Sequence, residues 1–155
     1  MVFNFSWVIP QKLAGSAMPF FSESSGDIPW LATQGIKELI SLARPDGPVE
    51  QICRDAGINW RLYEIEDYSV PQDLDDFSSF IESVIESIDE KKPCCVHCQA
   101  GIGRTGLVLA CIAGRYLSLG KEASVNFILE RRSAIETNEQ MRFIGEYLGQ
   151  YENRI

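Results

Sequence analysis

Apolar residues recur along the chain in two periods, and the switches between them lay out the elements. Residues 3–9 alternate as a strand does, and past the Pro10-Gln11 turn a second short strand is expected near Leu13-Ala14. Residues 19–25 form a loop, and Pro29 suits the first turn of a short helix that stops at Gly35. Residues 36–42 are an apolar run of strand length. Pro45-Asp46-Gly47 is turn chemistry, followed by a short helix over residues 49–56 that ends at Gly57. Ile58, Trp60, Leu62 and Ile65 predict another strand. The clearest helix opens after Pro71, where Leu74, Phe77, Ile81, Val84, Ile85 and Ile88 recur at helical spacing and carboxylates take the other side. Pro93 precedes a short strand of the buried type, residues 94–97. A helix from about Arg104 to Leu119 is apolar nearly all round and belongs at the centre of the molecule. Two more helices fit residues 121–132 and 138–151. Strands alternating with helices predict an α/β fold, with a central, mostly parallel sheet of four or five strands and helices on both faces.

Composition narrows what such a fold does. The chain has 155 residues, 45% hydrophobic and 23% charged, which suits one domain over residues 1–155 with a core that needs no disulfide or metal. Its 22 acidic and 14 basic residues give a net charge of −8, the wrong sign for binding nucleic acid or an anionic membrane surface. No apolar run reaches the roughly 18 residues of a membrane helix, and no signal segment is expected. The acid is concentrated: residues 62–90 carry ten carboxylates and no Lys or Arg, as a solvated helix face does. Five cysteines, an odd number with Cys94, Cys95 and Cys98 bunched together, do not make a secreted disulfide framework and point to the cytoplasm.

The chemistry is concentrated in residues 96–106, Val-His-Cys-Gln-Ala-Gly-Ile-Gly-Arg-Thr-Gly. A strand ends, a loop of small residues follows, and a buried helix begins. Backbone N–H groups around such a turn form a nest for an anion, and the helix N-terminus adds about half a positive charge. Gly101, Gly103 and Gly106 let the backbone curl and approach the anion closely. Cys98 opens the loop, where inward dipoles and the Arg104 guanidinium favour the thiolate, the nucleophilic form. Arg104 closes it with a fork that matches two phosphate oxygens.

Other motifs share these residues and fit less well. Residues 101–106 match G-x-G-x-x-G, but a dinucleotide site needs further βαβ units and a ribose-binding acid on a second strand, where this chain predicts helix. A nucleotide-binding P-loop needs Gly-Lys-Ser/Thr, which is missing. Cys95-Val96-His97-Cys98 is a C-x-x-C, yet Cys95 lies within a strand rather than at a helix start, as a thioredoxin-like site requires. Zinc needs about four converging ligands, and His97 is the chain's single His.

The run His97-Cys98-Gln99-Ala100-Gly101-Ile102-Gly103-Arg104-Thr105-Gly106 resembles the signature of the cysteine-dependent protein tyrosine phosphatases: His-Cys, five residues, Arg, then Ser or Thr. Asn4-Phe5-Ser6-Trp7-Val8 and Ile135-Glu136-Thr137-Asn138-Glu139-Gln140 are similar to the compact atypical dual-specificity branch and its archaeal members, so the likeness spans nearly the whole chain. The resemblance implies that Cys98 attacks phosphorus to form a phosphocysteine. It implies that Arg104 and the loop backbone of Gln99, Ala100, Gly101, Ile102 and Gly103 bind the phosphoryl group. Thr105 would hydrogen-bond the Cys98 sulfur. Asp67, on a loop well upstream, would be the general acid, with Glu66 standing where the family has Pro and acting on Asp67 as a like charge or competing for its role. Gln140 matches a Gln that positions the attacking water; a solvated first-turn helix residue is the plainer alternative. Arg131 matches an Arg that precedes the family's Pro-Gly, here replaced by Arg132-Ser133. His97 would brace the loop. Cys53, Cys94, Cys95 and Cys111 are expected in the core.

The same resemblance implies no cofactor and no metal, a phosphorylated protein or peptide as substrate, no nucleic-acid or membrane partner, and a monomer in the cytoplasm (or the nucleus of a eukaryote). Phosphoinositide phosphatases of the superfamily carry Lys inside the loop, where Ala100 and Ile102 are neutral, and RNA 5′-triphosphatases need a basic surface. A rhodanese-type sulfurtransferase would not need the Arg-Thr-Gly helix start. Two alternatives stay open: a phosphatase of a non-protein phosphate ester, and a non-catalytic phosphotyrosine-binding module, which would be expected to lose Cys98, Arg104 or Asp67.

Overall fold

Parallel strands cannot be joined by a tight turn, and the chain places one helix between each two successive strands of the parallel part of the sheet. In the computed structural model, which describes residues 1–151, the order is β1 (Ser6–Ile9), β2 (Leu13–Ser16), α1 (Asp27–Thr33), β3 (Glu38–Ser41), α2 (Val49–Asp55), β4 (Asn59–Leu62), α3 (Leu74–Asp89), β5 (Cys94–His97), α4 (Gly103–Tyr116), α5 (Lys121–Leu129) and α6 (Asn138–Gly149). The strands form one sheet in the order β1-β2-β5-β3-β4, with β1 antiparallel to β2 and the other neighbours parallel. This is the mostly parallel α/β sheet that the sequence predicts.

Alternation along each strand decides which helices lie on which face. Leu13, Ile40, Cys94 and Val96 join α3, α4, α5 and α6 in one apolar cluster. Ala14, Leu39 and Cys95 join α1 and α2 in another on the opposite face. The two cysteines of the C-x-x-C are thereby separated, Cys95 in one cluster and Cys98 in the other. Helix α4 is buried from Gly103 through Gly114, as its all-round apolar sequence requires. The Asp73 side chain caps α3 by accepting from Asp75 N and Asp76 N, and the acidic first turn complements the helix dipole.

Several elements are shorter than their periodicity suggests. Asn4 takes φ +57° and turns the chain, so β1 starts at Ser6 and not at Phe3. Ser118, also at φ +57°, stops α4 at Tyr116 rather than Leu119. Helix α5 ends at Leu129, ahead of Arg131 and Arg132. The register sets Ser16 and Ser41 on either side of His97, at the carboxyl ends of β2, β3 and β5. Ligands of open α/β sheets bind at such ends.

Candidate active site

Cys98 follows β5 directly, and residues 98–102 curl back to the start of α4. The carbonyls of this loop are held from outside, one by one. His97 Nδ1 lies 2.9 Å from Cys98 O. Met18 N donates to Gln99 O at 2.9 Å. Asn4 Nδ2 donates to Ala100 O at 3.1 Å. Arg132 Nη2 donates to Gly101 O at 2.8 Å, and Ile135 N donates to Ile102 O at 3.0 Å. The backbone N–H groups of Gln99, Ala100, Gly101 and Ile102 have no hydrogen-bond partner among the described residues. With the carbonyls tied outward, these N–H groups turn inward, and the unpaired N–H groups of the first turn of α4 extend the ring. Such a concave set of donors at a helix N-terminus is an anion cradle.

Gly101 makes the curl sterically feasible. Its φ is +79°, and a Cβ there would strike Ser16 O, on the end of β2. The loop therefore lies flush on the sheet, and the helix that follows starts under it.

The side chains at the cradle are Cys98, Arg104, Thr105 and Asp67. Cys98 is buried, and Thr105 Oγ1 donates to its sulfur at 3.1 Å. Arg104 is 7% exposed; its Nη1 donates to Ile65 O at 2.9 Å and its Nη2 lies 3.3 Å from Asp67 Oδ1. Its Nε is buried and has no protein partner, which leaves a donor for a ligand. Asp67 sits on the turn closed by Ser69 N donating to Glu66 O, and its side chain is 56% exposed. Asp67 faces Arg104, whereas Glu66 is exposed and makes no ion pair among the described residues.

Gln140 is fully buried, not a solvated first-turn residue. Its Oε1 accepts from Glu136 N at 2.8 Å and from Thr137 N at 3.2 Å, the latter completing a capping box for α6. Its Nε2 is buried and unpartnered. A Cβ on Gly103 would collide with Glu136 Oε1 and stand 3.1 Å from that same Nε2, so a carboxylate and an amide converge on the loop where it enters α4. No local pattern marks Glu136, whose carboxylate reaches Gly103 only through the fold. Its neighbour Ile135 sits at φ +66°, a costly conformation for a β-branched residue.

Of the two neighbouring arginines, Arg132 is the one that holds the loop. Arg131 is exposed, donates to Phe127 O and stacks over the Phe127 ring. Arg132 is buried and donates to Ser6 Oγ, Gly15 O, Asn4 O and Gly101 O at 2.7–3.0 Å, pinning the loop to β1 and β2. One residue of phase past the end of α5 separates the two, and Asn4, the loop's other clasp, comes from the opposite end of the chain.

His97 is fully buried, and burial pushes its pKa down to about 4; its bond to Cys98 O opposes that shift and nearby Arg104 adds to it. His97 is therefore neutral near pH 7. Cys53, Cys94, Cys95 and Cys111 are all buried and free, as expected, and burial raises each thiol, Cys53 and Cys95 to about 11 and Cys94 to about 12. They are inert thiols at neutral pH. No helix among the described residues is long and apolar enough to cross a membrane.

Comparison with known proteins agrees with this geometry. The family model described as polymorphic toxin system, DSP-PTPase phosphatase matches residues 14–116. The chain is 40% identical over 88 residues to dual specificity protein phosphatase 4 of Gallus gallus, covering 52% of this chain and 22% of that protein. It is 36% identical over 86 residues to an uncharacterized protein of Methanocaldococcus jannaschii, covering 54% of this chain and 52% of the other. The chain thus spans no more than about half the length of these relatives. The crystal structure of Tk-PTP in the active form superposes with a TM-score of 0.79 over 98% of both chains at 22% identity, a likeness of fold.

Proposed function

The chain belongs to the DSP-PTPase family of dual-specificity and tyrosine phosphatases, and from that premise we propose that residues 1–155 act as one catalytic domain that hydrolyses phosphotyrosine in proteins or peptides, with phosphoserine and phosphothreonine as the second class. The observation that carries this reading is the ring of inward N–H groups around a buried thiol that already accepts a hydrogen bond from Thr105. The Cys98 thiolate attacks phosphorus as the bond to the tyrosyl oxygen breaks, and Asp67 gives its proton to that oxygen. Arg104 and the loop N–H groups hold the three phosphoryl oxygens and stabilise their charge. In the second step water attacks phosphorus, its proton passes to the Asp67 carboxylate, and the S–P bond breaks. Thr105 donates to the departing sulfur, and the free Nε2 of Gln140 orients the water.

No metal or cofactor takes part in this scheme, and its reduced cysteines suit a cytoplasmic enzyme working as a monomer. The test is hydrolysis of a phosphopeptide panel in EDTA by the wild type and by Cys98→Ser. Activity that resists EDTA and vanishes in Cys98→Ser is expected. Turnover by Cys98→Ser, or strict dependence on a divalent ion, would overturn the mechanism.

A further inference from the structure

Three hydrogen bonds in series cross the sheet and end on the Cys98–Gln99 peptide. Trp60 donates its indole Nε1–H to Ser41 Oγ at 2.8 Å. Ser41 Oγ lies 2.5 Å from His97 Nε2, and His97 Nδ1 lies 2.9 Å from Cys98 O. Register brings them together: Trp60 is level with Leu39 on β3, and Ser41 is level with His97 on β5. Leu39 and Ser41 are two apart on one strand, so the three side chains share one face at the carboxyl end of the sheet.

The polarity of the series is fixed from both ends. An indole N–H only donates, and a carbonyl oxygen only accepts. Ser41 has one hydroxyl hydrogen; with Trp60 already donating to its oxygen, it gives that hydrogen to His97 Nε2. Nε2 is therefore the bare nitrogen, and Nδ1 carries the proton that goes to Cys98 O. An imidazolium would aim a second N–H at Ser41 and leave the hydroxyl hydrogen with no acceptor among the described residues. A hydrogen bond to a peptide carbonyl polarises that peptide and makes its own N–H a better donor. The N–H of this peptide belongs to Gln99, the first unpaired donor of the cradle. Packing alone asks for no indole here, since Phe would fill the same half-buried position beside the α1–α2 cluster.

We infer that Trp60 and Ser41 are positioning residues of the catalytic loop, which hold His97 in a single neutral tautomer so that its Nδ1–H polarises the Cys98–Gln99 peptide toward the bound anion. This goes beyond the roles of Cys98, Arg104 and Asp67 and rests on the phosphate site proposed above. His97 is the chain's one histidine, so a single imidazole dominates its ring-nitrogen spectrum.

The experiment is ¹H–¹⁵N NMR of the His97 ring at pH 7 and pH 6, with titration by inorganic phosphate. In the wild type, Nδ1 is expected to be protonated and Nε2 bare at both pH values. Trp60→Phe keeps an aromatic ring and frees Ser41 to accept, so a population with Nε2 protonated should appear at pH 6, and phosphate should bind roughly 3- to 10-fold more weakly. Ser41→Ala should weaken phosphate at least as much, and Ser41→Thr, which keeps the hydroxyl, should restore it. Arg104, the cation acting on His97, is common to all variants. A wild-type His97 protonated on Nε2 at pH 7 overturns the proposal with no variant needed. So does a folded Trp60→Phe protein with the wild-type spectrum and phosphate affinity. Neither readout depends on turnover, so failure of the relay and failure of the phosphatase reading are told apart.

Discussion

The hydroxyl of Thr105 donates to the sulfur of Cys98 across 3.1 Å, and both groups are buried. A donor so placed helps most when sulfur carries full negative charge, as the leaving group of a phosphocysteine does. Thr105→Val, which keeps the shape and removes the donor, should slow breakdown of the intermediate by roughly 10- to 100-fold while forming it nearly as fast as the wild type. Stopped-flow traces with p-nitrophenyl phosphate should then show a larger burst before a slower steady state. A uniform slowing of both phases would assign Thr105 to loop packing instead.

Asp67 and Glu66 are adjacent carboxylates, and the geometry separates them, since Asp67 lies 3.3 Å from Arg104 Nη2. Asp67→Asn should lower kcat by about 10²–10⁴ on phosphates of poor leaving groups, with a smaller loss when the leaving phenol is strongly acidic. It should also remove the basic-side fall of the pH–kcat profile, because that limb reports an acid that must stay protonated. Glu66→Gln and Glu66→Pro should keep the leaving-group dependence. If Glu66→Gln abolishes it and Asp67→Asn does not, the acid is one position earlier.

What the sequence made legible follows from how each part is specified. Cys98, Arg104 and Thr105 lie within one loop and the first turn of one helix, so local spacing alone brings them together. The order of strands and helices was equally readable, because apolar runs and helical spacing are local patterns. Arg132, Asn4, Ser41 and Trp60 were not. Each reaches the loop through strand register or through a helix end, and no local period encodes those. Arg131 and Arg132 illustrate it: chemically identical neighbours, told apart only by where α5 stops and the chain turns. Asp67 came from the resemblance and its loop, and it lies on no periodic element that would place it independently.

That pair of arginines makes a sharp comparison. Arg132→Ala would remove a buried guanidinium and leave the carbonyls of Gly15, Asn4 and Gly101 without their donor. Stability should fall by about 3 kcal/mol or more, by the cost of unmade bonds to a charged group. Arg131→Ala, at an exposed position, should stay within about 0.5 kcal/mol. Urea unfolding of both variants reads the difference, and equal losses would show that the loop is not clasped through Arg132.

Acid destabilises the fold through His97. Burial holds native His97 near 4, whereas an unfolded chain protonates it near the ordinary 6.5. Between those values the unfolded state binds a proton that the native state refuses, so stability rises with pH across this window. Acidification from pH 7.5 to 5 should therefore cost the wild type about 2 kcal/mol through this residue, at 1.36 kcal/mol per pH unit once the unfolded imidazole has charged. His97→Gln cannot titrate and escapes that part of the loss. At pH 7.5 the variant should be the less stable protein, since Gln reproduces neither bond of the imidazole, to Cys98 O and to Ser41, in full. The gap between the two should then narrow by about 2 kcal/mol at pH 5, because only the wild type gives up stability to His97. Urea midpoints at both pH values measure the gap directly, and the shared carboxylates cancel in the difference. A gap that stays constant would mean that native His97 takes up its proton as readily as a solvated imidazole, and the neutral histidine bracing the loop would have to be abandoned.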